Sequence, residues 1–217
     1  MSFLSAITLM PSDQSIRQRI LERCRCRFFS SGFTKVTMDE MAHELGVSKK
    51  TIYKYFPSKT ELLRELLRTK MDEAQSGIQR IAGQSRLGFV QKLKEAYTFA
   101  GQQVSELGQP FLRDLERNAP EIWKEFDEHR NQTVLRALRN LMEDGVRKRA
   151  FKSDINPQLL LLMYTTLIQR IMNPETLSQL PLTPSEAMAA IREVFFEGAL
   201  TDKARVQYHA SQTRIRP

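Results

Sequence analysis

The densest chemistry in the sequence lies in the nine-residue run SKKTIYKYF, from Ser48 to Phe56. Lys49, Lys50 and Lys54 bring ammonium groups, Ser48 and Thr51 bring hydroxyls, and Tyr53 and Tyr55 bring rings that end in a hydroxyl. Cations and hydroxyls bond phosphate oxygens, while hydroxyls, rings and methyls can meet base edges, so this set suits a nucleic-acid surface. Ile52 and Phe56 lie four apart and read as the inward anchors of a short helix that turns the other side chains outward. A helical hairpin with only a structural task would rarely show so many Lys and Tyr in about one and a half turns.

The flanking residues read as the elements that hold this run. Thr37 followed by Glu40 is a capping box, and Met38, Met41, Ala42 and Leu45 then share one helical face. Gly46 stops that helix, Ser48 caps the next, and Pro57 disfavours helix at Phe56. Ser58 and Glu61 form a second capping box. It opens a long helix with Leu62, Leu63, Leu66, Leu67, Met71, Ala74, Ile78 and Ile81 on its apolar face, ended by Gly83. Upstream, a helix from Asp13 to Ser31, capped by Ser12 and closed by Gly32, carries the stripe Ile16, Ile20, Cys24, Phe28. Of its five arginines, Arg17, Arg19, Arg23, Arg25 and Arg27, some are expected on phosphates and the rest in solvent. Two short helices joined by a Gly-containing turn form a helix-turn-helix, whose second helix enters the major groove.

Charge agrees with that placement. The chain has 217 residues and a net charge of +8. Residues 1–60 hold 10 Lys/Arg and 5 Asp/Glu, residues 61–200 hold 19 of each, and residues 201–217 hold 4 and 1. A neutral body with a basic head is the electrostatic pattern of a protein that docks on nucleic acid. No apolar run approaches the ~18 residues of a membrane span. Cys24 and Cys26 would point about 200° apart on a helix, which prevents a bridge, so they read as free thiols in a reducing cytoplasm. The apolar start MSFLSAITLM lacks the flanks of an export signal and reads as a loose arm, with Met1 or Met10 as the start. There is no nucleophile elbow, Gly-rich phosphate loop or Rossmann fingerprint. His43, His129 and His209 lie far apart in sequence, the first two expected on helix surfaces and the third in the tail. No catalytic residue, metal site or cofactor is expected, and the chain is not read as an enzyme.

The stretch VTMDEMAHELGVSKKTIYKYFPSKTELLREL, Val36 to Leu66, resembles the DNA-binding domain of the TetR/AcrR family of bacterial transcriptional regulators. Its Thr-capped helix, Gly-Val-Ser turn, Thr-Ile-Tyr-x-Tyr-Phe helix and Ser-Lys-x-Glu-Leu-Leu start each fit the family pattern, as do the preceding Phe28, Phe29, Gly32 and Phe33. The likeness covers about 60 residues, Asp13 to Asp72. It implies that Thr37 caps the second helix and bonds a phosphate, and that Ser48, Lys49, Thr51 and Tyr53 touch phosphates or bases. It places Tyr55 on the backbone-facing side and Lys59 on a phosphate. Lys50 stands where the family commonly has Gly. Its longer side chain could reach a guanine edge or another phosphate, so base specificity does not carry over. Lys54 joins this set from the local reading of the helix.

Five or six more helices are expected beyond Ser85: near Arg86–Glu106, after Pro110 to Asn118, from Pro120 to about Arg149, from Pro157 to about Met172, and from Pro184 to about Leu200. The Pro157 helix is apolar on most of its circumference, as for a helix buried on more than one side. With the last helix it could bury one face in its own core and another in a partner, and the family resemblance implies a four-helix dimer interface. Leu160, Tyr164, Leu167, Ile191 and Phe195 are the expected interface residues. A ligand pocket, implied by the same resemblance, is assigned to Phe99, Phe111, Trp123, Phe126 and Tyr164, with Arg170 facing an anionic ligand or an interface carboxylate. The fold expected is all-α: a helix-turn-helix domain over 13–72, a helical ligand-binding and dimerisation domain over 73–200, and flexible termini at 1–12 and 201–217. The function expected is a cytoplasmic homodimeric repressor that binds a palindromic operator on double-stranded DNA and is released by a small-molecule effector. An activator or global regulator of the same fold without an inducer is the alternative. A helix-turn-helix enzyme would need a catalytic cluster, and a mere interaction protein would not need the three Lys.

Overall fold

The computed structural model describes residues 13–171 and 174–212. Among them are eleven helices and no strand: α1 (Asp13–Ser31), α2 (Met38–Leu45), α3 (Lys49–Tyr55), α4 (Lys59–Gly83), α5 (Phe89–Ser105), α6 (Gln109–Asn118), α7 (Pro120–Arg147), α8 (Pro157–Ile171), α9 (Pro174–Ser178), α10 (Pro184–Ala199) and α11 (Asp202–Gln212). The chain is all-α, with the helix-turn-helix at its N-terminal end.

The caps read from the sequence explain most boundaries. Thr37 Oγ1 accepts from Glu40 N while Glu40 Oε2 accepts from Thr37 N, which closes the capping box of α2. Gly46 then sits at φ 66°, a left-handed conformation that costs a glycine little and a residue with a Cβ more. Ser48 caps α3 through the Thr51 N–H. At Ser58 only half the box forms: Glu61 N donates to Ser58 Oγ, while the Glu61 carboxylate turns to Arg64. Asn156 Oδ1 accepts from both Gln158 N and Leu159 N at the start of α8.

Two apolar cores lie along the molecule. One gathers Ile20, Cys24, Phe28, Met41, Ile52, Phe56, Leu62 and Leu66 from α1–α4, and extends to Phe111 and Leu115 of α6 and to Ile122 and Phe126 of α7. The other joins α5, the C-terminal half of α7 and α8 to α11. The 72/73 boundary expected from the sequence falls inside α4, which runs unbroken for about 37 Å from the first core to its packing against α5 and α7. The first core thus includes helices from well beyond that boundary.

Four expectations need correction. The helix expected from Arg86 begins at Phe89, because Leu87 N turns back onto the Gln84 carbonyl and Gly88 is the N-cap. The short helix α9 was not foreseen. The supposedly flexible tail contains α11, which buries Ala204 and Tyr208 in the second core, Tyr208 with its ring 6.5 Å from that of Phe196. Its basic composition hid two apolar residues four apart. The arginines of α1 mostly brace the head rather than project from it. Arg17 bonds Glu65 at 2.7 Å and lies over the Phe56 ring, Arg23 and Arg27 both pair with Glu44, and Arg25 bonds Glu73 and Glu106. Ser12, Met1, Met10 and Met172 lie outside the described residues.

Candidate nucleic-acid interface

Helix α3 is anchored from below and open above. Ile52 and Phe56 are buried in the first core, against α1, α2 and α4. Lys49, Lys50, Tyr53 and Lys54 are exposed, and Thr51 and Tyr55 are partly so. The helix is too short to persist alone in water, so packing rather than propensity keeps it formed.

Each expected contact residue has a definite place. Thr37 and Ser48 are exposed caps whose hydroxyls already satisfy backbone donors, which fixes their position. Ser48 Oγ and Thr51 Oγ1 lie 2.8 Å apart. Lys49 Nζ donates to Asp39 Oδ2 at 2.7 Å, an exposed pair that an incoming phosphate could replace at small cost. Lys54 lies over the Tyr55 ring, 5.1 Å from its centroid. Lys59 departs from a simple phosphate hook. It is partly buried, donates to the Thr34 carbonyl at 3.3 Å, and lies between the rings of Phe28 and Phe33. Burial lowers its pKa from the usual lysine value. His43 is exposed on α2.

Below this head, a cavity of about 140 Å³ opens between α4, α5, α7 and α8. Phe99, Phe126 and Tyr164 line it. Phe111 and Trp123 do not. Phe111 is fully buried against Phe29 in the first core, 4.8 Å between rings, and Trp123 packs beside Phe126 with Arg130 over its ring. Both lie on the helices that tie the head to the body, a role that single-helix periodicity cannot separate from pocket lining. His129, expected on a surface, instead lines the cavity, and so does Lys70, an unforeseen buried cation on the apolar side of α4. Lys70 Nζ donates to Glu106 Oε2 at 2.5 Å, and Arg25 of α1 donates to the same oxygen at 2.7 Å. Burial alone would raise the Glu106 pKa, but the hydrogen bonds from Lys70 and Arg25 outweigh it and hold the carboxyl below its usual value. His209, on α11, pairs with Glu197, and no group of metal-ligating side chains occurs among the described residues.

The expected interface residues also divide. Leu160, Tyr164, Ile191 and Phe195 are buried in the chain's own second core, and Leu167 alone of the five is exposed. The outward apolar stripe of α8 is Leu159, Leu162, Met163 and Leu167, at helical spacing, with Leu162 at 62% exposure. On α10, Ala190, Val194 and Gly198 are exposed four apart, with Val194 at 78%. The sequence showed that these helices were apolar on two sides but not which side faced inward. Arg170 is exposed on α8.

Residues 20–66 match the sequence profile of the bacterial regulatory proteins of the tetR family. The match takes in most of α1, all of α2 and α3, and the start of α4. This segment is thus similar to the DNA-binding domain of TetR-family transcriptional regulators. The Bacillus subtilis (strain 168) helix-turn-helix transcriptional regulator YvaF is 27% identical over 186 residues, covering 86% of this chain and 96% of the relative. A TetR-family regulator structure from Agrobacterium tumefaciens superposes with a TM-score of 0.66 at 18% identity, covering 88% of this chain and all of that one. The fatty acid degradation regulator FadR of Bacillus halodurans superposes at 0.62 with 18% identity, covering 84% and 95%. The two structures share the fold of this chain over 88% and 84% of its length. No helix of the described residues is long and apolar enough to cross a membrane.

Proposed function

We propose that this regulator is a homodimeric repressor that binds a two-fold operator through α3 and leaves it when a small molecule occupies the body. The observation that carries the DNA-binding part is the face of α3, with Lys49, Lys50, Tyr53 and Lys54 exposed over a base of fully buried apolar anchors. Thr37, Ser48, Thr51, Tyr55 and Lys59 complete the contact set. Lys59 would have to leave Thr34 to reach a phosphate, and its position between two rings keeps it close to the DNA-facing end of α4.

A single helix-turn-helix reads few base pairs, so specificity needs two half-sites and therefore two copies. The apolar stripe of α8 and the small-residue stripe of α10 support a second copy as partner, because small exposed residues let helices approach closely and long apolar ones gain by burial. The head as a functional unit runs from Asp13 to about Asp72 and the ligand-binding and dimerising body from there on, now including α11.

Release follows from α4. Its first turns carry the head, its middle presents Lys70 to the cavity, and Glu106 links that lysine to Arg25 of α1. A ligand that widens the cavity would tilt α4 and pull on this link, moving the two α3 helices out of register with half-sites about 34–36 Å apart. Tenfold relief requires the ligand to favour the released state by about 1.4 kcal/mol. Gel shifts with the DNA flanking the protein's own coding region test the reading. Retarded complexes should form with wild type and weaken sharply with Tyr53→Ala, and a reporter driven by that DNA should fall when the protein is expressed. Failure to retard that DNA any better than a random duplex would remove the operator, and a rise in the reporter would make the protein an activator.

A further inference from the structure

We propose that the cavity takes a small neutral molecule, a single ring with a short apolar substituent and one hydrogen-bonding group, rather than an anion or a pure hydrocarbon. The inference rests on the reading of the body as a ligand-binding unit and adds the chemistry of what enters.

Size comes first. A volume of about 140 Å³ is close to the ~150 Å³ apolar cavity known to admit benzene, so one ring fits. The wall is mainly apolar, with Met71, Ala74, Ile78, Phe99, Ala100 and Leu141 among its members. Phe99 packs on Gly77 so closely that a Cβ there would stand 2.1 Å from Phe99 Cζ, which fixes one side of the space.

Charge comes next. The two cations at the cavity already have carboxylate partners. Lys70 bonds Glu106, and Arg130 bonds Asp127. Arg25 and Glu73 complete the Lys70 cluster with one charge of each sign, so each group of charges is balanced. Arg130 Nε is buried at the cavity without a partner, but Asp127 already balances the guanidinium charge. A carboxylate ligand would therefore either displace Asp127 or Glu106 or add an uncompensated negative charge to a largely buried site, and each is costly.

The hydrogen-bonding group follows from what is left over. Thr133 is 93% buried by its 7% exposure, lines the cavity, and its Oγ1 has no partner. Gln103 Oε1 and His129 Nε2 line the same cavity and are likewise buried without partners. His129 and Thr133 stand one helical turn apart on α7, so their side chains share a face. A buried hydroxyl, amide oxygen and ring nitrogen without partners cost free energy until something bonds them. A ligand hydroxyl can both donate and accept, which fits this mixed set; a hydrocarbon leaves it unanswered.

Titration calorimetry of the full chain with 4-ethylphenol, ethylbenzene and 4-ethylbenzoate tests this. Saturable binding of 4-ethylphenol is expected, about tenfold tighter than ethylbenzene, with the benzoate weakest. Thr133→Val should bring the phenol down toward the hydrocarbon, and Ala74→Leu, which fills the cavity, should abolish both. Absence of saturable phenol binding, equal binding of phenol and ethylbenzene, preference for the benzoate, or a Thr133→Val protein with wild-type phenol affinity would each overturn the assignment. If the probes fail while DNA is still retarded, the ligand class falls and the regulator reading stands. If the phenol binds but no DNA is retarded, the proposed DNA contacts fall and the ligand class stands.

Discussion

Tyr53 combines exposure with a rigid ring at the middle of α3, and its removal isolates contact with DNA from folding. Tyr53→Ala should weaken operator binding by about 1–3 kcal/mol with the melting temperature unchanged. Lys50→Ala should reduce the slope of log affinity against log salt by about 1 if its ammonium lies on a phosphate, as gel shifts over a salt series would show. Burial sets the chemistry of the two thiols apart. The Cys24 thiol is pushed up to about 12 by burial and by nearby Glu44, so it stays protonated and inert, whereas Cys26 is exposed. Iodoacetamide should label Cys26 in the native protein and reach Cys24 only on unfolding, as peptide mapping would reveal. Asp114 of α6 is the third case. Burial alone would raise its pKa, but hydrogen bonds from the backbone and side chain of Thr34 and from Asn118 hold it below the usual aspartate value. A depressed carboxyl stabilises fully above its unfolded pKa of about 3.9, and that contribution is lost as the pH falls through the lower folded value. Asp114→Asn should lower the melting temperature by about 2–4 °C at neutral pH, with the difference shrinking below about pH 4.

At the scale of elements, α4 carries the coupling. Lys70 is only 3% exposed, so it is held by Glu106 rather than by water. Glu106→Gln leaves a buried ammonium poorly paired and also loosens Arg25, whereas Lys70→Met replaces the cation with an apolar chain of similar length. Urea unfolding should therefore show Glu106→Gln to be the more destabilised of the two, by about 1–3 kcal/mol relative to wild type. Lys70→Met should keep the fold and alter the response of DNA binding to ligand, because α1 and the cavity then lose their shared carboxylate link.

For the whole molecule, the exposed stripes of α8 and α10 predict the assembly. Leu162→Glu with Val194→Glu should give a folded monomer in sedimentation equilibrium, with operator affinity at least about tenfold lower. Charges at Leu160 and Phe195 should instead destabilise the chain itself, because both side chains lie in the second core. Circular dichroism separates the two outcomes: the first pair keeps a cooperative thermal transition near that of wild type, and the second pair loses it.

The sequence alone determined the features that depend on neighbours within about four residues. The Thr37/Glu40 capping box, the Gly46 stop, the Ser48 cap and the Ile52/Phe56 anchors placed α2 and α3, because cap hydrogen bonds and helical periodicity are local. The outward set on α3 followed, since a short helix with two anchors has only one face left. The tertiary structure decided what depends on residues far apart in the chain. Phe111 and Trp123 pack toward the head and Phe99 into the cavity, although all three look alike as aromatics on amphipathic helices. Leu160 points inward and Leu162 outward on a helix that is apolar on most of its circumference. The arginines of α1 meet carboxylates between 17 and 81 positions away, so they serve as braces, and α11 becomes a helix because α5 and α10 offer a surface for Tyr208. Periodicity places a side chain on a face; only the packing of distant helices says what that face meets.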